Sequence, residues 1–198
     1  MRNYTIIGLT GPTGAGKSTA AQFFEKNGFV IVDADKIARL ALSAGSSCLS
    51  QVCGVFGNDI LNGDGSLNRT KLAQRAFADK ESTQMLNDIT HPWIFLRVLR
   101  ECRQNIDNGK NRILFDAPVL FESFSDIMCD AVVSVVAPEE IRLERLVQRD
   151  GLSAEQIKKR MSAQHDNDFY ISRSDFVIDG SLSFDEIDAA VSEIVQKL

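Results

Sequence analysis

A glycine-rich loop at residues 11–18, with the sequence GPTGAGKS, carries the first chemical signal of the chain. The loop fits G-x-x-x-x-G-K-[ST] in full and lies between an apolar run and a stretch with helical periodicity, which is the context that the pattern requires. Main-chain N–H groups of such a loop surround phosphate oxygens, and the start of the following helix adds positive charge. Lys17 is then expected to reach the β and γ phosphates, and the Ser18 hydroxyl to bind Mg²⁺. The nucleotide-contacting residues that the motif predicts are Gly11, Gly14, Ala15, Gly16, Lys17, Ser18 and Thr19.

A second candidate for the metal side of this site is Asp116, which ends the apolar run at residues 113–116. An aspartate in this position can instead cap the following turn, which Pro118 marks. A sheet that places the third strand beside the first, however, brings Asp116 to the magnesium at the phosphate loop. Together with the loop motif, this favours Asp116 as a magnesium ligand, directly or through water.

Asp33 and Asp35 close the second apolar run and open a helix, so they are expected at the carboxyl edge of the sheet. Either residue can serve as a helix N-cap. The alternative is catalytic, because a carboxylate that accepts the proton of a hydroxyl attacking the γ phosphate contributes about 10²- to 10⁴-fold in rate. Residue types and spacing leave the two interpretations open.

Arg142, Arg145 and Arg149 follow the fourth apolar run at spacings of three and four, which places them on one face of a helix. One interpretation is a solvated cationic stripe, which the neighbouring glutamates support. The other is a mobile lid whose arginines neutralise a phosphoryl group during its transfer, because this helix is expected at the carboxyl edge of the sheet. Arg160 extends the same basic region.

Five short apolar runs are predicted to form the strands that position these side chains. Because the runs are continuous rather than alternating, both faces of the sheet must be covered, which indicates an α/β fold with a mostly parallel sheet between helices. The predicted strands are residues 4–9, 29–32, 112–115, 131–136 and 176–178, and the predicted helices are residues 17–27, 35–44, 138–149, 153–164 and 183–197. The single predicted domain consists of a core (residues 1–35, 110–138 and 173–198), a helical insertion (36–109) and a lid (139–172).

Length, charge and cysteine content restrict the partners of the chain. Its 198 residues suffice for one sizeable core, and its formal net charge of −5 opposes binding to nucleic acid or to an anionic membrane. No apolar stretch approaches the roughly 18 to 20 residues of a membrane span and no signal peptide is evident, so a cytoplasmic protein is expected. Four cysteines without CxxC spacing and two histidines favour buried, reduced thiols over a zinc site or a disulfide framework.

Several separated segments together resemble the dephospho-CoA kinase family over nearly the whole chain. They are Gly8-Leu9-Thr10-Gly11 with the phosphate loop, Asp33-Ala34-Asp35-Lys36-Ile37-Ala38-Arg39, Phe56-Gly57 with Gly65-Ser66-Leu67-Asn68-Arg69, His91-Pro92-Trp93-Ile94, Asp116-Ala117-Pro118-Val119-Leu120-Phe121-Glu122, and residues 145–150 leading to Arg160 and Gln164. Any phosphate-loop protein can share the first segment, whereas the joint order is specific. The sequence departs from the family pattern at Pro12 and Thr13, where Gly-Ile is usual, and at Asp179, where Asn is common.

The resemblance implies a P-loop kinase-like three-layer α/β sandwich that transfers the γ-phosphate of ATP to the ribose 3′-hydroxyl of dephospho-CoA, completing coenzyme A. It implies ATP and Mg²⁺ as cofactors, Asp33 as the candidate base, Lys17 as a phosphate ligand and Arg145 as a lid arginine that contacts phosphate. The insertion is implied to receive dephospho-CoA. The residues implied to bind this acceptor are Asp33, Asp35, Arg69, His91, Arg160 and Gln164. The expected partner is this small molecule, without nucleic acid or membrane, and a monomer is slightly favoured.

Two alternative classes of protein differ from this interpretation. Kinases of nucleosides, nucleotides or other small hydroxyl compounds share the core and the lid, so dependence on the acceptor distinguishes them. A nucleotide-operated switch commonly reads guanine through an Asn-Lys-x-Asp segment, and this sequence has none. The missing segment counts against a GTP-dependent switch.

Overall fold

The computed structural model describes residues 3–198, and a five-stranded sheet forms its centre. The strands are β1 (Thr5–Thr10), β2 (Val30–Asp33), β3 (Arg112–Asp116), β4 (Ala131–Val136) and β5 (Phe176–Asp179), in the spatial order β2-β3-β1-β4-β5. β1 pairs in parallel with β3 and β4, and β4 pairs in parallel with β5. Each strand lies within one residue of its predicted bounds at either end. The predicted parallel α/β fold is thereby confirmed.

Helices connect the strands. They are α1 (Lys17–Lys26), α2 (Ala34–Ala41), α3 (Ser47–Phe56), α4 (Arg69–Ala76), α5 (Lys80–Asp107), α6 (Glu139–Asp150), α7 (Ala154–Met161), α8 (Asn167–Ile171) and α9 (Phe184–Lys197). Short 3₁₀ turns occupy Asn58–Ile60 and Ser125–Met128. Across residues 3–198, no helix has the length and apolar character that a membrane span needs.

The first of two compact units extends to Val32 and resumes at Gln104–Leu198, and it contains the sheet. Side chains from α1 and α9 join side chains from β1 and β4 in one buried cluster. Leu9, Phe24 and Val133 are among its fully buried members. Burying a side chain of this size contributes about 1.5 to 3 kcal/mol, so the cluster holds the strand that leads into the phosphate loop.

The second unit is Asp33–Arg103 and is largely helical. It has its own buried cluster, in which Val52, Ile60 and Leu72 are nearly or fully inaccessible. An isolated antiparallel bridge joins Leu61 to Leu67 between α3 and α4. The long connection between β2 and β3 therefore forms a core of its own.

The cysteines are free thiols, and most of them are buried. Cys48, Cys53 and Cys102 lie in the interior, whereas Cys129 is partly exposed. Burial raises the pKa of Cys102 to about 11. A thiol that stays protonated in this way is a poor nucleophile, which fits a packing role for Cys102. The expectation of burial is wrong only for Cys129 among the four.

Candidate active site

The loop at residues 11–18 joins β1 to α1, as the motif requires. Gly16 is the N-cap of α1 and has a φ of 105°, a left-handed conformation that glycine adopts readily, and no side chain caps the helix. Within residues 3–198, the main-chain N–H groups of Gly14, Gly16, Lys17 and Ser18 donate to no protein acceptor. The first turn of α1 also lacks acidic residues. A helix start with free donors and no acidic residue in its own first turn is suited to an anion.

Three other N–H groups of this segment are engaged inside the protein. Thr13 donates to the side-chain Oε1 of Gln164 at 3.0 Å. Ala15 and Thr19 donate to main-chain carbonyls of the same segment at 3.2 and 3.0 Å. The free donors therefore cluster at the start of α1, and the nucleotide contacts of Ala15 and Thr19 stay predictions.

Lys17 contacts the carboxylate of Asp116, which the sequence suggested as a magnesium ligand. Its Nζ lies 2.9 Å from Oδ1 of Asp116, and the two side chains are only 15% and 19% exposed. The parallel register of β1 and β3 pairs Leu9 with Asp116, so the third strand does lie beside the first. This is the strand order on which the magnesium interpretation of Asp116 depends.

Oxygen donors suited to Mg²⁺ occur at this place. Ser18 is exposed in the first turn of α1, and Asp116 ends β3 with a partly buried carboxylate. A hydroxyl and a carboxylate are ligands that magnesium takes alongside water and phosphate oxygens. No cluster of three or more His, Cys, Asp or Glu side chains within residues 3–198 forms a metal site by itself. The donor set thus fits an ion that is held largely by nucleotide and water.

Arg142 does not fit the interpretation of a solvated cationic stripe, because it is only 5% exposed. Its Nε donates to the main-chain carbonyl of Thr13 at 3.0 Å. Burial lowers the pKa of this guanidinium, and the charge of Glu139 opposes the shift. The group nevertheless stays protonated at physiological pH. The solvated interpretation is wrong for Arg142, because α6 packs this residue against the phosphate loop.

Arg145 and Arg149 have different surroundings on the same helix. Arg145 is partly buried, and its Nη1 lies 3.5 Å from the carbonyl oxygen of Gly14. Arg149 is exposed and pairs with Asp150, which also binds Arg160 at 3.0 Å. The structure thus brings Arg145 to the loop and leaves Arg149 and Arg160 on a shared carboxylate.

Gly180, directly after β5, is a residue of this site that the sequence motifs did not reveal. A Cβ on Gly180 would lie 1.8 Å from the carbonyl oxygen of Ala15, so only glycine fits beside the loop. Its N–H donates to the carbonyl of Val136 at 2.7 Å, which fixes this turn at the end of β4. An Asp-Gly pair after a predicted strand is the signal that could have indicated the turn.

The candidates in the second unit lie on three helices. Oδ1 of Asp33 accepts from the N–H of Lys36 at 2.9 Å and caps α2, so the capping interpretation is confirmed. Asp35 is exposed in the first turn of the same helix. Arg69 is exposed at the start of α4, and His91 is partly buried within α5. The catalytic interpretation of Asp33 stays a prediction.

Comparison with known proteins agrees with this geometry. The family model described as dephospho-CoA kinase matches residues 5–186. The dephospho-CoA kinase of Corynebacterium diphtheriae is 41% identical over 192 residues, which cover 97% of this chain and 96% of that protein. The solved dephospho-CoA kinase from Campylobacter jejuni is 27% identical and superposes with a TM-score of 0.71 over 100% of this chain and 97% of that chain. TT1252 from Thermus thermophilus is 27% identical, with a TM-score of 0.84 and 98% of each chain covered.

The match begins in β1 and ends in the first turn of α9, so it includes the phosphate loop, Asp116 and the arginines of α6. The same stretch contains the free loop donors and the lysine beside a strand-end carboxylate. Because sequence match and site geometry cover the same elements, the chain belongs to the dephospho-CoA kinase family.

Proposed function

We propose that this chain transfers the γ-phosphate of ATP to the ribose 3′-hydroxyl of dephospho-CoA. Membership of the family identifies a kinase whose acceptor is an alcohol. The observation that carries the proposal is the phosphate loop, where free N–H donors at the start of α1 lie next to a lysine paired with a strand-end carboxylate. This arrangement can bind a triphosphate and stabilise charge on its terminal phosphate.

In this proposal the loop binds the triphosphate through the N–H groups of Gly14, Gly16, Lys17 and Ser18. The ammonium of Lys17 turns from Asp116 towards the β and γ phosphates. Arg145, whose guanidinium already reaches the carbonyl of Gly14, neutralises the transferring phosphoryl group. Donors that are oriented before the reaction stabilise the developing charge without reorganisation.

Ser18 and Asp116 would hold Mg²⁺ beside the phosphates, directly or through water. When bound, the ion offsets the negative charge of the phosphate oxygens. Asp116 lies at the end of β3, next to Lys17. In this proposal it pairs with Lys17 first and serves as a metal-side ligand once the nucleotide is bound.

Asp33 is the proposed general base. Its carboxylate accepts the proton of the 3′-hydroxyl while that oxygen forms a bond to the γ phosphorus, and the bond from the γ phosphorus to the bridging oxygen breaks to release ADP. The position of Asp33 at the end of β2 and the orientation of its carboxylate by the bond from Lys36 support this role. Asp35 is the next candidate.

The acceptor-side contacts are proposed from the family resemblance. Asp35, Arg69 and His91 are assigned to dephospho-CoA within the helical region at residues 36–109, and Arg160 within the lid at residues 139–172. For Gln164 the bond from Thr13 favours a role in the loop over a role on the acceptor. We also propose that the enzyme acts as a monomer in the cytoplasm.

Acceptor dependence tests the proposed function. ADP release is expected to require dephospho-CoA and to be much weaker with AMP, CMP, GMP or shikimate. The product should carry the new phosphate on the ribose 3′ position, which phosphorus NMR can identify. Equal turnover with a nucleotide acceptor would reassign the chain to another small-molecule kinase. ATP binding without any acceptor-dependent transfer would favour a binding module.

A further inference from the structure

The peptide groups of Thr13 are held from both sides by side chains that are distant in sequence. Its N–H donates to Oε1 of Gln164 at 3.0 Å, and its carbonyl accepts from Nε of Arg142 at 3.0 Å. Thr13 lies in the phosphate loop, Arg142 on α6, and Gln164 in the segment between α7 and α8. Two separate parts of the predicted lid therefore form hydrogen bonds with the same residue of the loop.

The bond from Arg142 is made by a buried arginine. The side chain is 95% removed from solvent, and burial lowers the pKa of its guanidinium. Taking such a charge out of water is costly unless the protein gives it partners. A charge-assisted bond to a main-chain carbonyl is stronger and more directional than a neutral one. The side chain thus exerts a specific hold on the Thr13 carbonyl in addition to its packing.

The bond to Gln164 occupies a donor that the loop would otherwise offer to phosphate. Pro12 has no N–H, and the N–H groups of Thr13 and Ala15 are engaged within the protein. Among residues 12–18, the N–H groups without a protein acceptor are those of Gly14, Gly16, Lys17 and Ser18. The two bonds to Thr13 therefore fix the residue directly before the first of these donors.

We propose that Arg142 and Gln164 are positioning residues of the phosphate loop. By fixing the carbonyl and the N–H of Thr13, they orient the free donors that follow and link the shape of the loop to the packing of α6 and α7. Neither residue touches substrate in this role. The inference rests on the proposed phosphoryl transfer for its kinetic consequence only, because amide exchange and nucleotide binding report the positioning without turnover.

Gln164 gives the sharper test. Gln164→Met keeps the length of the side chain and removes the acceptor, whereas Gln164→Glu keeps an oxygen acceptor. In ¹⁵N-labelled protein the Thr13 amide should exchange with solvent about tenfold faster in Gln164→Met than in the wild type, and at close to the wild-type rate in Gln164→Glu. Binding of a non-hydrolysable ATP analogue should weaken in Gln164→Met, while the KM for dephospho-CoA stays unchanged. Unchanged Thr13 exchange together with a raised KM for dephospho-CoA would overturn the proposal and return Gln164 to the acceptor site.

Arg142 is tested by chemical rescue. A cavity of about 450 Å³ lined by Arg142, Gln164 and Asn167 gives a small cation a route to this place. Arg142→Ala should lower kcat/KM for ATP by about 10- to 100-fold, and millimolar guanidinium should restore part of the loss. Lys159→Met, which removes an exposed cation from the neighbouring helix α7, is the matched control and should leave the value unchanged. A fully active Arg142→Ala, or a folded variant that guanidinium fails to rescue, would contradict the positioning role.

The readouts separate this inference from the proposed function. If the wild type binds the ATP analogue but phosphorylates no dephospho-CoA, the proposed function fails while the exchange and binding tests remain decisive. Thermal melting of each variant shows whether it is folded. Should Arg142→Ala not fold, the Gln164 pair still decides the question.

Discussion

The ammonium of Lys17 and the carboxylate of Asp116 lie 2.9 Å apart, and this pair joins the start of α1 to the end of β3. Both side chains are largely shielded from solvent. The carboxylate thus gives the ammonium of Lys17 a negative partner within the protein. Under the proposed function, we expect ATP binding to exchange this partner of Lys17 for a phosphate.

Asp116→Asn should separate nucleotide affinity from turnover. The substitution removes the carboxylate that competes with phosphate for Lys17, so ATP affinity in magnesium-free buffer should stay the same or rise a few fold. Turnover with Mg²⁺ should fall by about 100-fold, because the metal-side ligand is lost. Calorimetry with and without EDTA, together with an ADP-release assay, measures both. Asp188→Asn, which breaks the exposed pair with Lys26, serves as the control and should change neither quantity.

Substitutions of Asp33 distinguish catalysis from helix capping. Asn is as good an N-cap as Asp, so Asp33→Asn should keep the melting temperature while turnover falls by about 10²- to 10⁴-fold. Asp33→Ala should lose turnover to the same extent and also lose about 1 kcal/mol of unfolding free energy, since the bond to the Lys36 N–H disappears. Chemical denaturation gives the unfolding free energy, and steady-state kinetics give the turnover. Wild-type turnover in Asp33→Asn would move the base role to Asp35.

Gly180→Ala should distort the phosphate loop, although Gly180 follows an edge strand and is distant from the loop in sequence. The new methyl group would meet the carbonyl oxygen of Ala15 at 1.8 Å, so loop and turn must separate. We expect ATP affinity to fall by more than about tenfold, with destabilisation of about 1 to 3 kcal/mol. Gly63→Ala is the matched control, because no atom lies within 4 Å of its added Cβ. Retention of full ATP affinity by Gly180→Ala would mean that this turn does not shape the loop.

Acid should weaken the link between α6 and α7 through Asp150. Hydrogen bonding to Arg149, aided by the charge of Arg160, lowers the pKa of Asp150 below its ordinary value of 3.8. A lowered carboxylate pKa in the folded state stabilises the protein above the unfolded pKa, and this contribution disappears as the pH falls through the folded pKa. Thermal melts from about pH 7 to about pH 2 measure this contribution. Over this range, the melting temperature of Asp150→Asn should fall by less than that of the wild type. Because the two arginines that pair with this carboxylate are exposed to solvent, high salt should reduce the difference.

Local patterns in the sequence were sufficient for the strands and for the loop itself. Continuous apolar runs predicted the buried parallel strands, and the glycine, lysine and serine spacing predicted the turn into α1, because both depend on residues that are neighbours along the chain. The capping role of Asp33 was one of two open interpretations and is likewise a local effect. The lengths of α2 and α7 were predicted less well, since helix ends depend on a few cap bonds.

The sequence by itself predicted which residues bind a triphosphate and determined to which family their order belongs. Only the tertiary structure decided which distant groups meet that loop: Lys17 with Asp116, Thr13 with Arg142 and Gln164, and Ala15 with Gly180. The bonded pairs among these are separated by 99 to 151 residues. Strand order and helix packing bring such residues together, and both result from burial of the whole core rather than from any short pattern. The same packing removed Arg142 from solvent, although its spacing with Arg145 and Arg149 suggested one exposed face.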